Sequence, residues 1–216
     1  MTQDQPGRPI QQREVALPPV DLPGILSLPE GAQGLVVFAH GSGSSRLSPR
    51  NTCVAEALQH AGFATLLFDL LLETEAADRN NVFDIPLLAD RLTQAASQMA
   101  TDPDTAALPL GYFGASTGAA AALVAAASPG SRARAIVSRG GRPDLAGEAL
   151  PRIAAPTLLI VGGRDAEVLD MNERALAQLA CEKALRVVPG ATHLFEEPGA
   201  LDTVIEHTRD WFTQHP

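Results

Sequence analysis

Short continuous apolar runs alternate with stretches of helical periodicity along most of the chain. The runs predict buried strands, and the stretches between them predict crossover helices. We place the strands at Leu35–Ala39, Phe63–Phe68, Leu110–Phe113, Ala135–Ser138, Thr157–Val161 and Leu185–Val188. We place the helices at Thr52–Ala61, Ile85–Met99, Ala119–Ala127, Val168–Leu179 and Leu201–Phe212. This alternation indicates an α/β fold, with a mostly parallel sheet and helices on both faces.

The start of the chain follows a different pattern. Glu14–Leu17 and Ile25–Leu28 are short apolar segments interrupted by prolines, which is typical of an edge hairpin. Residues 1–12 predict a loose N-terminal lead-in, and the polar segment 73–84 predicts a long loop. Because no repeat and no linker divides the sequence, we expect residues 1–216 to form a single domain.

The amino-acid composition excludes or disfavours several classes of protein and partner. The 216 residues are 45% hydrophobic, which excludes wholesale disorder, and their net charge of −9 disfavours nucleic acid as a partner. No apolar run approaches the ~20 residues that span a bilayer, so we expect no membrane association. Cys53 and Cys181 are too few for a disulfide framework, and the cytoplasm is the simplest location.

The clearest chemical motif is Gly-Ala-Ser-Thr-Gly at residues 114–118. It follows the strand Leu110–Phe113 directly and precedes a helix, as a nucleophile elbow does. A sharp strand-to-helix turn exposes the Ser116 hydroxyl, and the flanking glycines let strand and helix approach closely. Ser116 is therefore the predicted nucleophile.

A serine nucleophile needs a base and an acid that holds the base. His193 follows the strand Leu185–Val188, and Asp165 follows Thr157–Val161, so both lie at the carboxyl edge of the predicted sheet. We predict a catalytic triad of Ser116, His193 and Asp165. Asp144 and Asp170 are alternative acids, and a turn-forming or capping role is the alternative for Asp165.

Oxyanion donors are expected from two backbone N–H groups. One belongs to Thr117, the residue after the nucleophile, at the start of a helix. The other belongs to Ser42, in the small-residue loop 40–45 that follows Leu35–Ala39. His40 is expected to order that loop.

The motifs HGSGSS, GASTG, TLLIVGGRD and PGATHLF stand in an order that resembles the α/β-hydrolase superfamily, in a layout similar to the dienelactone hydrolase group. The resemblance implies an eight-stranded, mostly parallel sheet and hydrolysis through an acyl-enzyme, with no metal or organic cofactor. Dienelactone hydrolases use a cysteine nucleophile, whereas this chain has Ser116, so lactone specificity does not carry over. Family members often insert a cap domain where this chain has only residues 139–156, so we expect an open site without one.

The expected function is a serine hydrolase that cleaves carboxylic esters or thioesters of small substrates. An acyltransferase or amidase with the same nucleophile is the first alternative, and a non-catalytic binding protein of the same fold is the second. The expected partner is a small-molecule ester, and the protein is expected to be a monomer or homodimer.

Three arginines follow strands that end near the predicted site. Arg46, Arg139 and Arg142 are candidates to bind a substrate carboxylate through a guanidinium. The alternative is that they are surface arginines, or that they form ion pairs with Asp144 or a nearby glutamate.

Overall fold

A computed structural model describes residues 9–216. Its eight strands are β1 (Ile10–Leu17), β2 (Leu22–Pro29), β3 (Leu35–Ala39), β4 (Ala64–Phe68), β5 (Leu110–Ala115), β6 (Ala133–Arg139), β7 (Thr157–Gly162) and β8 (Lys183–Val188). They form one sheet in the order β1-β2-β4-β3-β5-β6-β7-β8. Strands β3 to β8 are parallel, whereas β2 runs antiparallel to both β1 and β4. The predicted eight-stranded, mostly parallel sheet is confirmed.

Helices cover both faces of the sheet. They are α1 (Pro49–His60), α2 (Glu73–Ala76), α3 (Arg79–Val82), α4 (Ile85–Met99), α5 (Thr117–Ala127), α6 (Ala166–Gln178) and α7 (Ala200–Gln214). A 3₁₀ segment spans Pro143–Arg152. One apolar core lies under α4, α5 and the 3₁₀ segment, and a second lies under α1 and α7. Among the described residues, no helix is long and apolar enough to cross a membrane.

The hairpin at the start of the chain is longer than the sequence predicts. Residues 1–8 of the predicted lead-in lie outside the described residues, but the rest of it is wrong, because β1 begins at Ile10. The backbone of Ile10 is paired with that of Pro29, and the ladder continues to Leu17 opposite Leu22. Backbone pairing with β2 makes these residues a strand although their side chains are mostly exposed.

The segment 73–84 is also more ordered than a polar loop. It contains the short helices α2 and α3. The Glu75 carboxylate accepts a hydrogen bond from the Leu72 N–H at 2.9 Å, and Asp78 accepts one from the Asn80 N–H at 2.9 Å. These carboxylates satisfy N–H groups that the first turn of a helix leaves free.

Helix α5 is buried on nearly every side, as its alanine-rich sequence predicts. It packs very close to the sheet at two glycines. A Cβ added to Gly118 would lie 2.2 Å from the Ala39 carbonyl oxygen, and one added to Gly114 would lie 2.4 Å from Ala119 Cα. Both contacts are with backbone atoms that cannot move aside, which confirms the predicted need for glycine on either side of Ser116.

Candidate active site

Ser116 lies between β5 and α5 in a backbone conformation that L-residues rarely adopt, with φ 52° and ψ −122°. The end of β6 and the loop after it hold Ser116 in place: the Ser116 N–H donates to the Arg139 carbonyl at 3.3 Å, and the Ser116 carbonyl accepts from the Arg142 N–H at 3.1 Å. A non-glycine residue in this region costs about 1–3 kcal/mol, which the surrounding structure must offset. The strained turn is the geometry of a nucleophile elbow.

A histidine and an aspartate meet beside this turn. His193 Nδ1 lies 2.7 Å from Asp165 Oδ2, and the Asp165 carboxylate is more buried than the imidazole. Asp165 stands immediately before α6, yet within residues 9–216 its side chain caps no backbone N–H. The capping alternative therefore does not describe the structure, and the carboxylate is free to orient the ring.

The two alternative acids are engaged elsewhere. Asp144 accepts two hydrogen bonds from Arg142, at 2.9 Å and 2.7 Å. Asp170 forms an ion pair with Arg174 one turn along α6. Of the three aspartates that the sequence offers, the structure pairs Asp165 with His193.

Ser116 and His193 contact consecutive residues at the carboxyl end of β6. Arg139 accepts the Ser116 N–H, and a Cβ on the next residue, Gly140, would lie 3.6 Å from His193 Cε1. The described residues contain no hydrogen bond between Ser116 Oγ and the second nitrogen of His193. Catalytic hydrogen bonds are often long before substrate binds and shorten in the complex.

A carboxylate missed by the sequence analysis holds the loop that carries the histidine. The Thr192 N–H donates to both carboxylate oxygens of Glu197 at 3.1 Å. These hydrogen bonds lower the pKa of Glu197, so the carboxylate stays ionised. Phe195, with φ 55°, is buried in the core and anchors the same loop.

The two expected oxyanion donors are joined in this structure. The Ser42 N–H donates to the Thr117 hydroxyl at 2.9 Å. Thr117 is the first residue of α5, so its own N–H is one that a helix leaves without an intrahelical carbonyl. An oxyanion that binds the Ser42 N–H must displace the Thr117 hydroxyl or share the donor with it.

His40 connects the ends of β3 and β4, as expected for a residue that orders the 40–45 loop. Its Nε2 accepts from the Leu70 N–H at 3.0 Å, so its Nδ1 carries the proton and donates to the Gly41 carbonyl at 3.0 Å. Burial lowers the pKa of His40 below its ordinary value, while the hydrogen bond to Gly41 and the charge of Asp69 oppose the shift. The ring is therefore a neutral structural link.

A pocket of about 660 Å³ opens next to the elbow. The 40–45 loop and Thr117 form one wall, and Glu73, Arg79 and Phe83 of the α2–α3 segment lie on the other. Its volume is in the range of small-molecule sites.

The 3₁₀ segment fills the place where a cap domain would be inserted, so the expected absence of a cap holds for the described residues. Within residues 9–216 no three His, Cys, Asp or Glu side chains converge as metal ligands.

The three candidate arginines have different surroundings. Arg46 forms an ion pair with Asp69 and also donates its backbone N–H to that carboxylate at 2.6 Å. Arg142 is paired with Asp144, the alternative that the sequence left open. Pairing with these carboxylates neutralises both guanidiniums locally. Arg139 is 9% exposed and pairs with no carboxylate of residues 9–216.

The sequence also matches a family model. Residues 32–210 match the model of the alpha/beta hydrolase domain. The chain belongs to the α/β-hydrolase family.

Comparison with solved structures indicates the group of α/β-hydrolases that this chain resembles. This chain is 54% identical to a dienelactone hydrolase from Anabaena variabilis. The match covers 97% of this chain and 99% of that one, and the two structures superpose with a TM-score of 0.91. This chain also shares the fold of Est1E from Butyrivibrio proteoclasticus, with a TM-score of 0.77, 17% identity, and coverage of 94% and 98%. The first likeness places the chain in the dienelactone hydrolase group, and the second shows the fold alone.

Two relatives from Mycobacterium tuberculosis are longer than this α/β-hydrolase. Each is 61% identical over 205 residues and is named "Putative phosphoribosyl transferase". The match covers 95% of this chain but 46% of each relative. The chain thus spans about half the length of these proteins.

Proposed function

We propose that this α/β-hydrolase is a serine hydrolase that cleaves carboxylic esters or thioesters of small substrates through an acyl-enzyme. His193 takes the proton of Ser116, and Ser116 Oγ attacks the carbonyl carbon. The backbone N–H groups of Ser42 and Thr117 stabilise the oxyanion. His193 then protonates the leaving group and activates the water that releases the acid. Asp165 holds the tautomer of His193 and stabilises its protonated form.

The observation that carries this proposal is the 2.7 Å contact of His193 and Asp165 beside a serine held at positive φ. A structural serine needs neither that strain nor a charged partner for a nearby histidine. The 54% identity to a dienelactone hydrolase supports hydrolysis at an acyl carbon.

The name of the mycobacterial relatives suggests a different chemistry, which we assign to the half of those proteins that this chain does not cover. The part that matches this chain is the part in which this chain has its α/β-hydrolase domain match. We infer that the reaction of this chain is the acyl one.

The nucleophile can be tested directly with a fluorophosphonate probe and 4-nitrophenyl esters of short acids. Ser116→Ala removes the attacking oxygen, so we expect no labelling and a fall of about 10⁴-fold or more in kcat. Ser97→Ala, on the exposed face of α4, is the matched control and should label like the wild type.

Two results would contradict the proposal. Full labelling of folded Ser116→Ala would remove Ser116 from its role. A wild-type protein that neither labels nor turns over any short ester or thioester would favour the non-catalytic alternative. An alcohol or amine acceptor added to the same assay separates hydrolysis from acyl transfer, because transfer product would exceed free acid in the second case.

A further inference from the structure

A second cavity lies at the amino edge of the sheet, away from the candidate active site. Its volume is about 180 Å³, and it is enclosed by the C-terminal ends of α4 and α5 and by the connections 100–109 and 128–132. The lining is mostly apolar and includes Leu35 and Met99. Strand β5 begins at this cavity and leads to Ser116 at its other end. The cavity shares no lining residue with the pocket beside the elbow.

The wall formed by the connection 100–109 is held in place by specific contacts. The buried Thr105 hydroxyl donates to the Met99 carbonyl at 2.6 Å, which ties the connection to the end of α4. Arg13 of β1 forms an ion pair with Asp102 at 2.5 Å. The cavity is therefore formed before any ligand enters it.

Tyr112 of β5 brings a hydroxyl without a partner to this cavity. Its side chain lines the cavity and is 2% exposed, and its hydroxyl makes no hydrogen bond with another residue of 9–216. Burial raises the pKa of Tyr112, and no hydrogen bond offsets the shift. A buried tyrosine hydroxyl usually finds a partner, because burying it without one costs free energy. Phenylalanine would fill the same space without that cost, so the hydroxyl indicates a ligand that accepts a hydrogen bond.

The other hydroxyls of the lining leave Tyr112 as the donor inside the cavity. Four of them already donate to backbone carbonyls at 2.6–3.0 Å: those of Thr93, Ser97, Thr105 and Ser128. Ser131 and Arg132 are exposed at the rim. Because the charge of Arg132 remains in water, the interior selects a ligand by shape and by one hydrogen-bond donor.

The size of the cavity and its lining indicate the class of ligand. An apolar cavity of about 150 Å³ in another protein binds benzene, so about 180 Å³ accommodates one ring and a short substituent. The Met99 thioether in the wall is a favourable neighbour for an aromatic ring. We propose that this cavity binds a neutral monocyclic aromatic molecule with one oxygen acceptor, such as an aryl ketone or ether, whose oxygen accepts the Tyr112 hydroxyl. The site is separate from Ser116 and independent of the proposed hydrolysis.

The first test titrates the protein with acetophenone and with α-methylstyrene, in which a methylene group replaces the carbonyl oxygen. We expect acetophenone to shift the amide NMR signals of Gly130 and Ser131 at the cavity, and to leave those of Gly43 and Ser44 beside the elbow in place. Tyr112→Phe removes only the hydroxyl. It should raise the Kd of acetophenone about twofold to tenfold, the usual effect of losing one hydrogen bond, and change that of α-methylstyrene less than about twofold.

The second test fills one cavity at a time. Ala96→Leu places an isobutyl group in the proposed site and should raise the Kd of acetophenone by more than about tenfold, because the ring no longer fits. Ala76→Leu makes the same change in the pocket beside the elbow and is the matched control, with an unchanged Kd. Circular dichroism establishes that each variant is folded. Should Ala96→Leu fail to fold, Ala100→Leu, at the half-buried end of α4, takes its place.

Four results would overturn the proposal. Binding of neither aromatic probe would show that the cavity holds solvent only. A Kd that changes in Ala76→Leu but not in Ala96→Leu would place acetophenone beside the elbow. Equal effects of Tyr112→Phe on both probes would remove the hydroxyl from recognition. Tighter binding of benzoate than of acetophenone, lost in Arg132→Met, would replace the neutral ligand by an anion. Since no arm measures ester cleavage, failure of this site and failure of the proposed function are distinguishable.

Discussion

At the scale of single residues, Gly41 leaves the space that the Ser116 side chain occupies, because glycine has no Cβ. A Cβ at Gly41 would lie 2.8 Å from Ser116 Cβ and 3.1 Å from the Ala115 carbonyl oxygen. Neither neighbour is the flexible end of a side chain, so the clash can be relieved only by moving the elbow or the 40–45 loop. The space in front of Ser116, the proposed nucleophile, thus requires glycine.

Gly41→Ala should therefore inactivate the protein while leaving it folded. The added methyl displaces Ser116 or the Ser42 N–H by a fraction of an ångström to about 1 Å, and a displacement of that size costs about a hundredfold in rate. The measurement is kcat/KM on a short 4-nitrophenyl ester, together with circular dichroism to establish the fold. Wild-type activity in a folded Gly41→Ala protein would show that the elbow does not approach this loop during catalysis.

The sequence was sufficient to locate some of these residues and not others. Ser116, Asp165 and His193 could be selected because each lies in the turn that follows a strand, and parallel strands bring such positions to one edge. The different states of Arg46, Arg139 and Arg142 could not be predicted. Whether a guanidinium is neutralised depends on which loops meet, and Asp69, which pairs with Arg46, lies on another strand end.

At the scale of elements, the elbow exists because α5 and β3 approach at backbone contact distance. A Cβ on Gly118 would lie 2.2 Å from the Ala39 carbonyl oxygen and 2.4 Å from that of His40. A helix with any side chain at this position must therefore move away from the sheet. The apolar faces of α5 would then lose contact with strands on both sides.

Gly118→Ala should destabilise the fold itself, in contrast to Gly41→Ala. We expect a loss of about 1–3 kcal/mol or more in the free energy of unfolding, as for overpacked cores. Chemical denaturation followed by circular dichroism measures it. Gly130→Ala is the control: φ is +80° there but no atom lies within 4 Å of the added Cβ, so the cost is conformational only. A Gly118→Ala protein no less stable than Gly130→Ala would refute the close approach.

Helices shorter than about two turns could not be predicted from the periodicity of apolar residues. The helices α2 and α3 have four residues each, and four positions cannot display a period of 3.6. They are stabilised by local carboxylates such as Asp78 and by the ion pair of Glu75 with Arg91. The first residues of β1 were not predicted as a strand for another reason. Their side chains are exposed, so the sequence shows no alternation of apolar and polar residues there, although the backbone pairs with β2.

At the scale of the whole molecule, the site is where four strands end. His40, Ser116, Asp165 and His193 follow β3, β5, β7 and β8, and the topology brings them to one edge of the sheet. Stability and site geometry are therefore coupled, since a group that links two strand ends also shapes the 40–45 loop. His40 is such a group, so we expect its ionisation to affect the stability of the fold.

The sign of this coupling follows from the depressed pKa of His40. In the unfolded chain the imidazole has its ordinary pKa of 6.5, whereas in the folded protein burial lowers the pKa. Between these two values the unfolded state binds more protons, so protons favour unfolding. The contribution of neutral His40 is fully present above pH 6.5 and is lost as the pH falls toward the folded-state pKa. Protonation of Nε2 would also break its hydrogen bond with the Leu70 N–H.

His40→Gln should therefore flatten the pH dependence of stability below pH 6.5. The variant is expected to be less stable than the wild type at pH 7.5, because it loses the fitted link between Gly41 and Leu70, but to lose less stability on acidification. Thermal unfolding midpoints between pH 7.5 and pH 5 measure both effects. His60→Gln, exposed on α1, controls for the loss of a histidine and should keep the wild-type slope. Equal slopes for wild type and His40→Gln would show that folding does not lower the pKa of His40, and would contradict this prediction.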